Sequence, residues 1–86
     1  MNINILIANV KKKLLEQINI ESIKIEDKSF LHKNHPGNQQ GKFHLKLTLK
    51  SLELKKMSKI ESNKMIYKVL DEEIKKFIHS IQILII

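Results

Sequence analysis

The sequence predicts a small α+β domain whose elements follow in the order helix, strand, strand, helix, strand. Three observations lead to this prediction: a 3.6-residue apolar pattern near the start, strict alternation of apolar and polar residues over 43–50, and a second helical pattern followed by an isoleucine-rich end. The 86 residues suffice for one domain, 1–86, and are too few for two hydrophobic cores.

The first helix is predicted over residues 3–17. Its apolar residues recur at steps of three and four and mark one face, namely Ile3, Ile7, Val10, Leu14 and Ile18. Asn2 or Asn4 can cap its start, because an asparagine side chain accepts a hydrogen bond from an unpaired backbone N–H. A half-buried strand is expected next, over residues 20–27, where Ile23 and Ile25 alternate with polar neighbours.

Residues 28–42 break the pattern and are expected to form a long polar loop, since the segment contains Pro36, Gly37 and Gly41. Loops of this length exceed what a hairpin needs and are often functional. The second strand is expected over residues 43–50, where Phe43 and three leucines alternate with polar residues. His44 falls on the polar side of that alternation, so we expect it to be exposed.

The second helix has its own start signal. Ser58 and Glu61 have the spacing of a capping box, in which each side chain satisfies a backbone N–H at the start of a helix. We expect the helix to run from there to about residue 77, after a short turn near residues 52–57. Residues 78–86 are rich in β-branched side chains and alternate in polarity, which predicts a third strand.

This order of elements limits the topology. The first two strands are joined by the loop and should be antiparallel, whereas the helix between the second and third strands makes those two parallel with a right-handed crossover. Both helices then cover one face of a mixed three-stranded sheet. The arrangement is similar to that of type II KH domains, although the chain lacks the G-x-x-G segment with which those domains hold a nucleic-acid backbone.

Composition excludes several classes of function. The chain has no cysteine, so it cannot supply a disulfide framework, a thiol nucleophile or a thiolate metal site. Its net charge of +7 comes from sixteen lysines without any arginine, and together with abundant isoleucine this suggests an AT-rich coding genome rather than a demand for nucleic-acid binding. The start lacks the features of a signal peptide and no apolar run could span a membrane, so we expect a cytoplasmic protein.

Four histidines are the candidates for metal or acid–base chemistry. His32 and His35 form an H-x-x-H in the long loop, a pattern that by itself is more typical of solvated residues than of ligands. His79 begins the third strand in phase with Ile81, where a hydrogen-bonded boundary residue is the simplest interpretation. No serine has a nucleophile-elbow context and no catalytic constellation is present, so no catalytic residue is predicted and an enzyme is not expected.

Several positions nevertheless resemble one family. Asp27, Ser29, His32 and His35 reproduce the D-x-S-x-x-H-x-x-H loop of BolA proteins. Three later stretches are similar to that family's H-F-K strand ending in serine, its Y-x-x-L-x-E-E helix and its I-H-A-L strand: His44 to Ser51, Tyr67 to Glu73, and Ile78 to Ile81. The chain departs from the family pattern at Leu54 and Lys56, and at residues 62–64, where the family has R-H-R.

The resemblance implies a role and a set of ligands. BolA-like proteins pair with monothiol glutaredoxins, and the two proteins share a 2Fe–2S cluster to which the partner's cysteine and bound glutathione give thiolates. By resemblance, His79 and a loop histidine ligate the cluster in this chain, with His32 preferred and His35 as the alternative. No cofactor is required for folding, and the free protein is expected to be a monomer or a weak dimer without membrane attachment.

The alternative function is that of a DNA-binding regulator, which the resemblance also implies because some BolA proteins act in this way. Lys59, Lys64 and Lys68 would then contact phosphates. Lysine gives salt-sensitive binding with little base specificity, and the family's R-H-R is missing, so this interpretation is the weaker of the two.

Overall fold

The computed structural model describes residues 2–29 and 42–86. Its elements are α1 (Ile3–Gln17), β1 (Ser22–Asp27), β2 (Phe43–Lys50), α2 (Leu52–Lys55), α3 (Lys59–Val69), α4 (Asp71–Lys76) and β3 (Ile78–Ile85). The predicted α+β class is confirmed, and α1 and β2 have the predicted bounds. The sequence left two caps open for α1, and Asn2 is the one used: its side chain accepts a hydrogen bond from the Asn4 N–H at 2.7 Å.

The sheet has the predicted mixed topology. Strand β2 lies in the centre, antiparallel to β1 and parallel to β3. The register aligns apolar residues in rows across the three strands, so that Ile25, Leu47 and Ile83 share one face of the sheet. Polar residues of the same strands occupy the opposite face.

The hydrophobic core forms between that apolar face and the helices. The leucines of β2 at positions 45, 47 and 49 are almost completely buried. They belong to one cluster with residues of α1 and of α3 and its C-cap, which include Leu6, Val10, Leu14, Ile66 and Leu70. Complete burial of such a side chain stabilises a fold by about 1.5–3 kcal/mol, so these contacts hold α1 and α3 on the same face of the sheet.

The segment after β2 differs from the prediction in two places. The expected turn near residues 52–57 contains the short helix α2, and the expected single helix is divided into α3 and α4 at Leu70. Leu70 has φ −99° and ψ 16° and is completely buried. The sequence did not reveal this break because the apolar spacing continues through it without Gly or Pro. The predicted capping box is confirmed, since Ser58 and Glu61 exchange hydrogen bonds of 3.1 and 3.2 Å.

Two buried polar residues tie the elements together. The Ser51 hydroxyl donates to the Asn19 carbonyl at 2.7 Å and accepts from the Leu54 N–H at 3.1 Å, which joins the end of β2 to the α1–β1 connection and caps α2. Glu73 of α4 is 5 % exposed and bonds Lys13 of α1 at 2.6 Å, and this hydrogen bond raises the pKa of Lys13 above 10.5. Glu73 is therefore a buried carboxylate that is paired with a lysine of another helix.

Within the described residues, no helix combines the length and the apolar character needed to cross a membrane.

We predict that Ser51→Ala destabilises the domain by about 1–2 kcal/mol, because it removes the cap of α2 and the hydrogen bond that the buried Ser51 hydroxyl donates to the Asn19 carbonyl. Urea unfolding followed by circular dichroism measures this loss. Ser22→Ala is the matched control, since Ser22 is exposed at the start of β1 and should change stability by less than about 0.5 kcal/mol. Equal stability of the two variants would contradict the proposed importance of the Ser51 junction.

Candidate functional site

His79 lies at an irregularity in the ladder between β2 and β3. Phe43 pairs with Ile78 and His44 pairs with Ser80, so His79 is an extra residue of β3 with no partner on β2. Such a bulge changes the direction of a side chain and often occurs beside functional sites. The unbroken alternation assumed from the sequence is wrong here: His79 is exposed, and its ring centroid lies 4.9 Å from that of His44.

His44 is buried, and the prediction that it is exposed is wrong. Only 4 % of the residue is accessible, and Nδ1 lies 2.6 Å from the Ser80 hydroxyl. It does occupy the face of the sheet away from the core leucines, as its place in the alternation indicates. That face is covered locally by Ser80 and by the ring of His79, and the sequence pattern contains no information about such neighbours.

The start of the long loop is anchored to His44. Asp27 accepts hydrogen bonds from the Ser29 N–H, at 3.0 Å, and from the Ser29 hydroxyl. The Ser29 oxygen accepts in turn from the His44 N–H at 3.1 Å, while the Lys28 N–H donates to the His44 carbonyl at 2.7 Å. The D-x-S part of the loop motif thus fixes the point from which the chain leaves β1.

The start of β2 lies at the same place, and residues 30–41, which belong to the predicted loop, lie outside the described residues. Phe43 donates its N–H to the Phe77 carbonyl at 2.9 Å, which holds the start of β2 against the residue before β3. The structure therefore brings His79, His44 and both ends of the loop together. His32 and His35 lie outside the described residues, so their predicted role stays a prediction.

A group of ion pairs lies beside this site. Glu26, on the same face of the sheet as His44, bonds Lys28 at 2.8 Å and Lys24 at 3.0 Å. Hydrogen bonds from Lys28 and Lys24 lower the pKa of the Glu26 carboxyl from 4.5 to about 2. Two lysines thereby compensate this carboxylate, and together with Asp27 the four charges sum to zero.

The three lysines assigned to DNA contact in the alternative interpretation are all exposed, but they do not form one stripe. Lys59 lines a groove beside β3, whereas Lys68 lines a cleft between α3 and α1. Lys64, four residues before Lys68, lies on the same side of the helix as Lys68. A single phosphate backbone would therefore meet only part of this set.

Sequence reasoning missed the pairing of His44 with Ser80 and His79. The parallel arrangement of β2 and β3 was predicted, and placing His44 beside residues 79–80 in that arrangement would have indicated the proximity. The bulge itself has no local sequence signal, because neither Gly nor Pro occurs in β3.

Comparison with known proteins agrees with this fold. The family profile described as BolA-like protein matches residues 14–86. The chain belongs to the BolA-like family. No curated protein sequence matches it significantly. The structure explains three of the family's motif residues. Asp27, Ser29 and Ser51 each make hydrogen bonds that hold the ends of β1 and β2.

Solved BolA structures show the same fold. The BolA domain of SufE1 from Arabidopsis thaliana has a TM-score of 0.75 at 23 % identity, with 91 % of this chain and 86 % of that chain covered. BolA1 from the same plant has a TM-score of 0.76 at 20 % identity, with 93 % of this chain and 88 % of that chain covered. The solution structure of BolA1 from Mus musculus has a TM-score of 0.74 at 19 % identity, with 92 % of this chain and 62 % of that chain covered. At these identities the likeness concerns the fold alone.

Metal binding at this place would need ligands from beyond the described residues. Among residues 2–29 and 42–86, no group of three or more His, Cys, Asp or Glu could enclose a metal ion. His79 instead offers one exposed imidazole, supported from behind by a buried one. Such a site holds a metal only if further ligands come from the loop or from another molecule.

We predict a pH-dependent contribution of Glu26 to stability. Its pKa is lowered on folding, so the stabilisation is fully present above pH 4.5 and is lost as the pH falls towards about 2. Thermal unfolding of wild type and Glu26→Gln should differ at pH 7 and converge near pH 2. As a control, replacing Lys24 and Lys28 with Met should return the carboxyl pKa, followed by NMR, towards 4.5. An inflection that stays near 2 in this variant would contradict the assignment.

Proposed function

We propose that this chain is a non-enzymatic accessory module that pairs with a monothiol glutaredoxin and shares a 2Fe–2S cluster with it, in iron–sulfur trafficking or iron regulation. The observation that carries the proposal is the placement of His79. This exposed imidazole stands on a bulge, against a buried histidine, at the place where the H-x-x-H loop begins and ends. The compartment we expect for this role is the cytoplasm.

The ligands available on each side are complementary. The chain has no cysteine, so it contributes imidazole, while the partner's cysteine and bound glutathione contribute thiolates. Two imidazoles in place of two thiolates make a cluster less negative and raise its reduction potential. Ligands divided between two proteins also allow release in steps, which suits delivery or sensing.

His44 supports His79 in this arrangement. A ligating histidine needs a neighbour that fixes its orientation. The His44 ring lies 4.9 Å from the His79 ring at an angle of 53°, and its bond to Ser80 holds the residue that follows His79 in the chain. His44 therefore limits the orientations that the His79 ring can adopt. His44 does not need to ligate a metal itself for this role.

Chain connectivity favours His32 as the loop ligand. His32 follows the anchored Ser29 by three residues, which span at most about 10 Å, whereas His35 follows it by six. A ligand close to a fixed point loses less conformational entropy on binding.

We predict that His79→Ala reduces cluster retention in the reconstituted complex by about tenfold or more, while the apo fold survives because β3 is held by its isoleucines. His32→Ala should weaken retention less, because His35 can substitute. Visible absorption and circular dichroism of the complex with a monothiol glutaredoxin measure this, and far-UV circular dichroism of the free chain reports the fold.

Two further variants make this experiment specific. Gln82→Ala changes an exposed residue of the same strand and should leave the spectrum unchanged. His79→Cys should restore a cluster with an altered spectrum, because thiolate also ligates iron. A wild-type spectrum for His79→Ala would overturn the ligand assignment and reduce the chain to a docking partner.

DNA binding is the alternative function. The basic surface supports it, but the three candidate lysines do not form one stripe. We predict weak binding of a 20-bp duplex that falls steeply, by about tenfold or more, between about 50 and 200 mM salt, because lysines contact phosphates without reading bases. Fluorescence anisotropy with two unrelated sequences measures both properties. Tight, sequence-selective binding at the higher salt concentration would favour the regulator function instead.

A further inference from the structure

The free edge of β3 lacks the usual protection of an edge strand. Strand β1, at the opposite edge of the sheet, carries Lys24, Glu26 and Asp27, and such charges discourage pairing with other chains. Strand β3 is eight residues long and contains no Lys, Arg, Asp, Glu or Pro. Among the described residues, no other strand pairs with it beyond β2.

The hydrogen-bonding groups at this edge can be assigned. The Ile86 N–H donates to the Leu49 carbonyl of β2 at 2.9 Å, so the main-chain groups of Ile86 point into the sheet. The direction of the main-chain groups alternates along the strand. The groups of Leu84 therefore also point into the sheet, whereas those of Ile83 and Ile85 point away from it. The latter two residues therefore present N–H and carbonyl groups to an added strand.

A groove lies directly beside these groups. It has a volume of about 330 Å³ and runs between the end of β3 and the segment that joins α2 to α3. Its apolar lining includes Leu54 and Met57 together with Ile83 and Ile85. Leu84, also at the groove, is 45 % exposed.

The charges at the groove have one sign. Lys55 and Lys59 line it, and no carboxylate is among its lining residues in the described part of the chain. The whole chain carries a net charge of +7, which adds to the local potential. The groove is thus complementary to a segment that carries both apolar side chains and carboxylates.

We propose that the β3 edge and this groove bind an extended acidic segment of a partner protein, which adds to the sheet as a fourth strand. The main-chain groups of Ile83 and Ile85 give the hydrogen bonds, the groove takes alternate apolar side chains, and Lys55 and Lys59 pair with carboxylates. A second copy of this chain is a poorer occupant, because two-fold pairing would bring the lysines of both copies together. Nucleic acid is poorer still, since the lining contains neither arginine nor an aromatic ring for stacking.

This surface is separate from the histidine site. His79 lies at the start of β3 and the groove at its end, so Ile85 is six residues beyond His79, or about 20 Å along an extended strand. The inference therefore does not depend on the proposed function, and the two sites can be occupied together.

The test uses the full chain and a defined probe. An acetylated octapeptide that alternates glutamate and valine is titrated into ¹⁵N-labelled protein, and amide shifts are followed by NMR. We expect the largest shifts at Ile83, Ile85 and the 54–59 segment, with His79 unaffected. Lys55→Glu combined with Lys59→Glu should weaken binding by about tenfold or more, because it reverses two charges at the groove. Lys11→Glu with Lys12→Glu reverses two exposed charges on α1 and should weaken it far less.

Two more probes separate the alternatives. The same peptide with alternate N-methylated amides should lose binding, because it cannot complete the strand ladder. A peptide that alternates lysine and valine should not bind. Equal binding of the N-methylated peptide, shifts confined to another surface, tighter binding of an oligothymidine at this groove, or a β3-dependent dimer in analytical ultracentrifugation would each overturn the proposal.

Discussion

The pairing of β2 with β3 is the interaction on which the rest of the structure depends. Strand β2 is the only one paired on both sides within the described residues, and its leucines form the centre of the core. Its parallel register with β3 requires a crossover, which α2, α3 and α4 provide on the face that those leucines need covered. The same register, shifted by one residue at its start, places His79 outside the ladder beside His44. Architecture and candidate site thus follow from one set of hydrogen bonds.

A domain of this size compensates for a small core with polar junctions. Ser51 connects three segments through one hydroxyl, and the bond between Lys13 and Glu73 joins the first helix to the last. Ser29 has a comparable role at the loop, because it links Asp27 to the backbone of β2. The buried Ser51 hydroxyl is fully paired, and Glu73 is paired through Oε2, whereas its Oε1 is buried without a hydrogen-bond partner among the described residues. Family motif positions in this chain are therefore structural in part.

The two proposals concern opposite ends of β3. The start of the strand carries the histidine that we assign to a shared cluster, and its surroundings are polar and rich in hydrogen bonds. Within the described residues, the end of the strand is apolar, unpaired at its edge and bordered by lysines. A protein that works by association benefits from this separation, because a metal-dependent contact and a metal-independent one can then be regulated independently.

The sequence by itself determined the order of α1, β1, β2, α3 and β3, the mixed sheet and the bounds of α1 and β2, because periodicity and capping are local properties. It also singled out His79, through a resemblance of motifs. Only the tertiary structure decided that His44 is buried, that Glu73 is enclosed and that the second helix breaks at Leu70. These features depend on residues distant in the chain: Ser80 covers His44, Lys13 covers Glu73, and the core holds Leu70. A pattern along one segment contains no information about what another segment places over it.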